Sequence, residues 1–197
     1  VTQREVGFLV FPGLEILDLA GPAEVFAATR AFSPFTIGLT PEPILSQGFV
    51  TILPERTFDN CPIPHVLVIP GGDIEPAASN PEFLAWVARA VREAEIVMSV
   101  CTGAFVLAHA GVLDGLAATT WHGRVDRLRD QAPRTRVLAD ARIVDNGKVI
   151  TTAGVSAGID GALHVVDRLL GREAATKAAA YMEYAWAAAP PYRTEQP

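Results

Sequence analysis

The residues best suited to chemistry are a thiol and a carboxyl that lie far apart in the chain. Cys101 closes the apolar run Ile96-Val97-Met98-Ser99-Val100, and Thr102 and Gly103 follow at once, ahead of the helix-like Ala104-Phe105-Val106-Leu107-Ala108. A strand, a sharp turn bearing a thiol and a helix N-terminus form the pattern of a nucleophile elbow. Unpaired N–H groups and the positive helix end favour thiolate over thiol there. The chemistry implied is nucleophilic attack by sulfur, with Thr102 orienting it. A free cysteine is elsewhere a small buried hydrophobe, and Cys61, beside Pro62 and without a glycine turn, is read as inert. Asp18 lies in Leu14-Glu15-Ile16-Leu17-Asp18-Leu19, where apolar flanks suit a partly buried carboxyl. A capping or solvated acid fits the same residues, and Glu15 competes with it. A carboxyl beside a thiol titrates with it as one unit and can shuttle a single proton.

Four glycine turns each follow an apolar run: Pro12-Gly13, Gly71-Gly72, Cys101-Thr102-Gly103 and Gly154 to Gly158. Their N–H groups can approach a ligand or stabilise an anion, so Gly72, Gly103 and Gly154 are candidate substrate- or oxyanion-binding positions. Each alone is ordinary turn chemistry; together at one sheet edge they imply a pocket. Of the four histidines, His65, His109 and His164 read as structural. His122 follows a short strand that could end near Cys101, and Trp121 is equally placed to face the pocket. No paired histidine or cysteine spacing suggests a metal. No Gly-x-Gly-x-x-Gly fingerprint occurs, and Gly71-Gly72 lacks a phosphate-loop lysine, so no cofactor is expected.

The elements that must position these groups alternate. Residues 6–10, 35–39, 66–69, 96–100 and 117–120 read as strands. Helical patterns cover 81–93, 125–131, 159–170 and 173–186, and another helix is expected from Gly21-Pro22, with proline in the first turn. Asp145-Asn146-Gly147 predicts a hairpin between 142–144 and 148–151. Residues 40–64 suggest short edge strands, and the tail 187–197 an extended segment. Buried strands alternating with helices predict an α/β three-layer sandwich, a mostly parallel sheet with helices on both faces. Ligands in such folds bind beyond the carboxyl ends of the strands.

The 197 residues suit one domain, with a core over about 5–186. Half the residues are apolar and 19% charged, which excludes a largely disordered chain. A net charge of −6 without basic runs argues against nucleic-acid binding by this chain. Apolar runs are too short to span a bilayer. No secretory signal is visible, and two cysteines without a disulfide framework point to a cytoplasmic protein with reduced thiols. Trp86, Trp186, the three tyrosines and the alanine-rich last helix offer apolar surface for a homodimer.

Four motifs, in order, resemble the ThiJ/PfpI superfamily: Phe11-Pro12-Gly13-Leu14-Glu15-Ile16-Leu17-Asp18, Ile69-Pro70-Gly71-Gly72, Ser99-Val100-Cys101-Thr102-Gly103-Ala104 and Ala153-Gly154-Val155-Ser156-Ala157-Gly158. The resemblance runs from about Val6 to Tyr184 and implies a flavodoxin-like sandwich. Within the superfamily the chain looks most like the isocyanide hydratases, which place an acid where Asp18 stands and pair cysteine with threonine as at Cys101-Thr102. Met182-Glu183-Tyr184 followed by Pro190-Pro191-Tyr192 is also similar to their ending. Peptidases of the superfamily carry histidine directly after the cysteine, where this chain has Thr102. Relatives with Thr-Thr-His place histidine where Trp121 stands, which favours Asp18 over His122 as the acid–base. The resemblance implies a small-molecule hydratase yielding an N-substituted formamide. Alternatives are a glyoxalase- or deglycase-like enzyme, a cysteine redox sensor, or the sensory domain of an AraC-type regulator.

Overall fold

The computed structural model describes residues 3–187 and 191–193; residues 188–190 and 194–197 of the expected tail lie outside the described residues. The first half contains β1 (Arg4–Val10), α1 (Ile16–Ala28), β2 (Phe32–Gly38), β3 (Ile44–Leu45), β4 (Thr51–Ile52), β5 (Arg56–Thr57), β6 (Val66–Ile69), α2 (Glu75–Ala78), α3 (Pro81–Glu93) and β7 (Ile96–Ser99). The second contains α4 (Gly103–His109), β8 (Ala117–Ala118), a 3-10 turn (His122–Arg124), α5 (Val125–Gln131), β9 (Arg136–Val137), β10 (Ile143–Asp145), β11 (Val149–Thr152), α6 (Ala157–Leu170), α7 (Arg172–Tyr181) and β12 (Tyr192–Arg193).

Eight strands form the main sheet in the order β12-β10-β11-β7-β6-β1-β2-β5. All its pairings are parallel except β10–β11. Helices α1, α6 and α7 pack together, as do α2, α3 and α4, giving the flavodoxin-like three-layer α/β sandwich. The central strands are apolar throughout because both faces are covered: all four residues of β6 and of β7 are buried.

Local chemistry explains several boundaries. The Asn80 side chain accepts from the N–H groups of Glu82 and Phe83, and Pro81 opens α3 at a position needing no donor. In the β10–β11 hairpin Gly147 alone takes the left-handed conformation (φ +84°), while its N–H donates to Asp145 Oδ1 at 2.8 Å.

Three expectations are corrected. Helix α1 begins at Ile16, so Gly21 and Pro22 lie inside it. They are packing residues: a Cβ on Gly21 would meet Ile159 Cγ1 of α6 at 2.8 Å, and the Pro22 ring faces Gly158. Pro22 also lacks the N–H that the Asp18 carbonyl would accept from four residues on. Helix α7 stops at Tyr181 because Glu183 turns left-handed (φ +50°) and the Tyr184 N–H returns to the Ala179 carbonyl at 2.9 Å. Trp86 offers no docking surface: it is buried and stacked on Phe58, with ring centroids 4.5 Å apart. Among the described residues the large exposed hydrophobic side chains are Leu17, Leu45, Phe49, Leu53 and Tyr181.

Candidate active site

Strand β7 ends one residue before the turn, and Cys101 adopts φ +56°, a left-handed conformation costly for any residue with a Cβ. Neighbouring structure holds it there. The Cys101 N–H donates to the Ala153 carbonyl at 3.1 Å, and Thr120 Oγ1 donates to the Cys101 carbonyl at 2.7 Å. Glycine is required around the turn. A Cβ on Gly71 would lie 2.6 Å from Thr102 N and 2.8 Å from Cys101 Cβ, and one on Gly103 only 2.2 Å from the Ile69 carbonyl oxygen.

Asp18 reaches the same place from α1. The Glu15 N–H donates to the Gly71 carbonyl at 2.8 Å, and Leu14 bridges Gly72, so the start of α1 is stitched to the loop after β6. Asp18 is fully buried, and its Oδ2 accepts from the Gly71 N–H at 2.8 Å. Oδ1 has no partner of normal hydrogen-bond geometry, although the Cys101 thiol and the Val155 N–H both lie close enough to favour its charged form. Glu15 stands nearby and accepts from the Gln47 side-chain amide.

The sequence pattern does not single out the Val155 N–H. The strand–turn–helix formed by β11, residues 153–156 and α6 repeats the geometry of the cysteine elbow, and Val155 sits at φ +53°. Its N–H bears on both Cys101 and Asp18, while the Thr102 N–H bears on Cys101. These two backbone N–H groups are the ones that bear on the thiol. Gly72 is not a free donor, because its N–H donates to Thr102 Oγ1 and the Thr102 hydroxyl donates back to the Gly72 carbonyl, both at 2.9 Å. The Gly103 N–H is likewise committed, to the Val100 carbonyl at 2.9 Å. Gly154 serves packing: a Cβ there would lie 2.3 Å from Trp121 Cδ1. Thr102 therefore braces the loop, and Trp121, not His122, lies against the second elbow. His122 is exposed, with its ring 5.0 Å from that of Trp121.

The electrostatics tie the acid to the thiol. Burial raises Asp18 from its ordinary range to about 7 and Glu15 adds to the rise, against the Gly71 N–H, Cys101 and the Val155 N–H. Burial, then the Asp18 charge, pushes Cys101 up to about 12, against the N–H groups of Thr102 and Val155. Burial thus opposes the thiolate more strongly than the N–H groups of the turn favour it. Each charge disfavours the other, so the two groups titrate as a coupled pair in which Asp18 ionises before the thiol.

Cys101 is buried, with 7% of its surface exposed. A cleft of about 310 Å³ borders Gly72 and Thr102, with Phe105, Arg124 and Arg127 in its lining. A larger cavity, about 990 Å³, lies elsewhere, against residues 137–143 and the C-terminal segment. Both cysteines are free. His65, His109 and His164 are held by hydrogen bonds to the Glu5 N–H, the Phe105 carbonyl and Asp145. Among the described residues no cluster of three or more His, Cys, Asp or Glu is placed to hold a metal, and no helix is long and apolar enough to cross a membrane.

A parallel α/β sandwich with a left-handed cysteine at the carboxyl edge defines a class, and residues 4–168 match the model of the DJ-1/PfpI family. The chain belongs to that family. It is 33% identical over 194 residues to an isonitrile hydratase of Pseudomonas putida, covering 98% of this chain and 83% of that protein. The crystal structure of a ThiJ/PfpI family protein from Pseudomonas syringae superposes with a TM-score of 0.87 at 33% identity, covering 98% of this chain and 78% of that one. The transcriptional regulator GbdR of Pseudomonas aeruginosa is 24% identical over 176 residues, 86% of this chain; the chain spans about half of that regulator's length.

Proposed function

We propose that the protein is a cysteine-dependent hydratase that converts an isocyanide to an N-substituted formamide. The observation that carries this reading is a fully buried carboxyl set against the elbow thiol, with two backbone N–H groups aimed at the pair. Similarity to a protein named isonitrile hydratase over nearly the whole chain supports it.

As sulfur attacks the terminal carbon of R–N≡C, Asp18 accepts the thiol proton and delivers it to that carbon, giving the thioimidate S–CH=N–R. Water then adds to the same carbon while Asp18 relays one of its protons to nitrogen. Collapse breaks the C–S bond and returns the hydroxyl proton to sulfur. The sum is R–N≡C plus water to R–NH–CHO, with no oxidant or reductant. The N–H groups of Thr102 and Val155 stabilise the negative charge that passes through sulfur. An isocyanide presents a narrow, linear carbon to a nearly buried thiol, and R extends toward the cleft beside Gly72 and Thr102.

The test is incubation with alkyl and aryl isocyanides, following formamide by NMR and the protein by intact mass. Formamide release with a transient adduct on Cys101 is expected; absence of both sinks the proposal. The raised Asp18 titration also favours a second reading, a redox sensor in which protonated Asp18 donates to a Cys101 sulfinate. Peroxide oxidation without any formamide release would select it. The regulator reading rests on a match to half of a longer protein. The proposal includes a cytoplasmic location, consistent with two free thiols. It also includes a homodimer, for which Leu45, Phe49 and Leu53 around the β3–β4 hairpin offer an apolar face. A monomer by light scattering at micromolar concentration would remove the dimer.

A further inference from the structure

The Val155 turn is held from outside the site by a network that reaches no reacting atom. Arg142, just before β10, grips the segment at both ends. Its carbonyl accepts the Ala153 N–H at 2.9 Å, and the Ala153 carbonyl in turn accepts the Cys101 N–H at 3.1 Å. Its side chain crosses to the far end: Nε donates to Asp160 Oδ2 at 2.5 Å and Nη2 to Ser156 Oγ at 3.4 Å. Asp160 is buried in the first turn of α6, and its second oxygen accepts from the Tyr184 hydroxyl at 3.1 Å. Ser156 is the N-cap residue of α6, yet its side chain caps no N–H of that helix. Between these anchors stands Val155, a β-branched residue at φ +53°, a conformation that persists only where surrounding contacts over-determine it.

We infer that Arg142 and Asp160 are positioning residues that hold the Val155 N–H over Cys101 and Asp18. The forked guanidinium fixes the start of α6 relative to β10, and that relation sets where the turn between them aims its donor. Within the site the ionisable neighbours of the thiol are Asp18 and, beyond it, Glu15, both on the α1 side. On the α6 side the Arg142 charge is matched by Asp160. Loss of the fork therefore acts on the thiol chiefly through the turn. The inference holds or fails independently of which reaction the thiol performs.

The test measures iodoacetamide alkylation of Cys101 against pH in a Cys61→Ser background. Arg142→Met should move the midpoint of the rate profile upward by about one unit, about tenfold less thiolate at a given pH, since one hydrogen bond to the charged form is weakened. Arg142→Lys keeps the charge and one bond to Asp160 and should recover part of the displacement. Asp160→Asn should shift the profile in the same direction, and it serves as the deciding variant if Arg142→Met does not fold. Arg172→Met, which breaks the 2.7 Å pair with Asp167 and the stacking of the guanidinium on Trp186, should leave the profile in place. A profile superimposing on the parent in folded Arg142→Met or Asp160→Asn overturns the inference. So does an equal displacement in Arg172→Met, which would mark general loosening.

Discussion

The two cysteines differ less in burial than in company. Cys61 is 6% exposed and Cys101 7%, and burial raises the pKa of both. Cys61 lies before a proline, its sulfur 3.1 Å from the Pro62 carbonyl, with the Arg56 cation working against burial. Cys101 sits on a left-handed turn, faces two N–H groups and shares its surroundings with a buried acid. Cys61 has Arg56 and Glu5 as charged neighbours, and neither is a fully buried acid like Asp18. On the proposed mechanism the difference in reactivity between the two thiols comes from a partner that takes the proton as sulfur attacks.

The largest expected effect comes from removing the sulfur. Cys101→Ser should lower turnover on the order of a thousandfold or more, because an alcohol is a far weaker acid and no strong base stands beside it. Cys61→Ser should leave turnover near the parental value. Equal losses in steady-state assays of the two variants would dissolve the contrast between them.

Asp18→Asn should reduce formamide release by about 10²- to 10⁴-fold, the usual contribution of a placed acid–base, while Cys101 remains open to alkylation. The same variant carries a stability signature. A carboxyl raised from 3.8 to about 7 stabilises the fold fully below the lower value and loses that contribution as pH rises through the higher one. The three-unit span amounts to at most about 4 kcal/mol. Asp18→Asn lacks this slope, so its melting temperature should gain on the parent between pH 5 and pH 8. Parallel melting curves at the two pH values would show that Asp18 titrates normally.

A smaller effect separates the donor from the side chain at Val155. Proline there removes the N–H and cannot adopt φ +53°; turnover should fall by about 10²-fold, as when one oxyanion donor is lost. Glycine keeps the N–H and relieves about 1 kcal/mol of left-handed strain, so activity should persist. Similar activity in the two variants would remove Val155 from the site. His122→Ala should change stability by less than about 0.5 kcal/mol and leave activity intact, as suits an exposed ring packed on Trp121.

What could be read from the chain depended on how local its cause was. Helix α3 is legible because Asn80 and Pro81 are local start signals, and the cysteine elbow because glycines and an apolar run flank it. The start of α1 is not, because Pro22 has the composition of a first turn and is placed by contact with Gly158, far along the chain. Trp86 looks like surface until Phe58, from a different segment, stacks on it. Asp18 was identifiable as an acid with apolar flanks, but its full burial comes from the loop after β6 and the turn before α6. Val155 gave no signal, since a β-branched residue has no propensity for left-handed backbone; the surrounding glycines marked a turn without saying which N–H it would aim.

The central claim is that Cys101 and Asp18 act as one proton-sharing pair to hydrate an isocyanide. Its most direct test is the rate of formamide release across pH 5 to 9 for the parent and Asp18→Asn. The account predicts turnover in the parent, with a profile that bends near pH 7 where Asp18 titrates, and a loss of two or more orders of magnitude throughout the range in the variant. No formamide from the parent with any alkyl or aryl isocyanide, or an Asp18→Asn profile that overlays the parent, would contradict it.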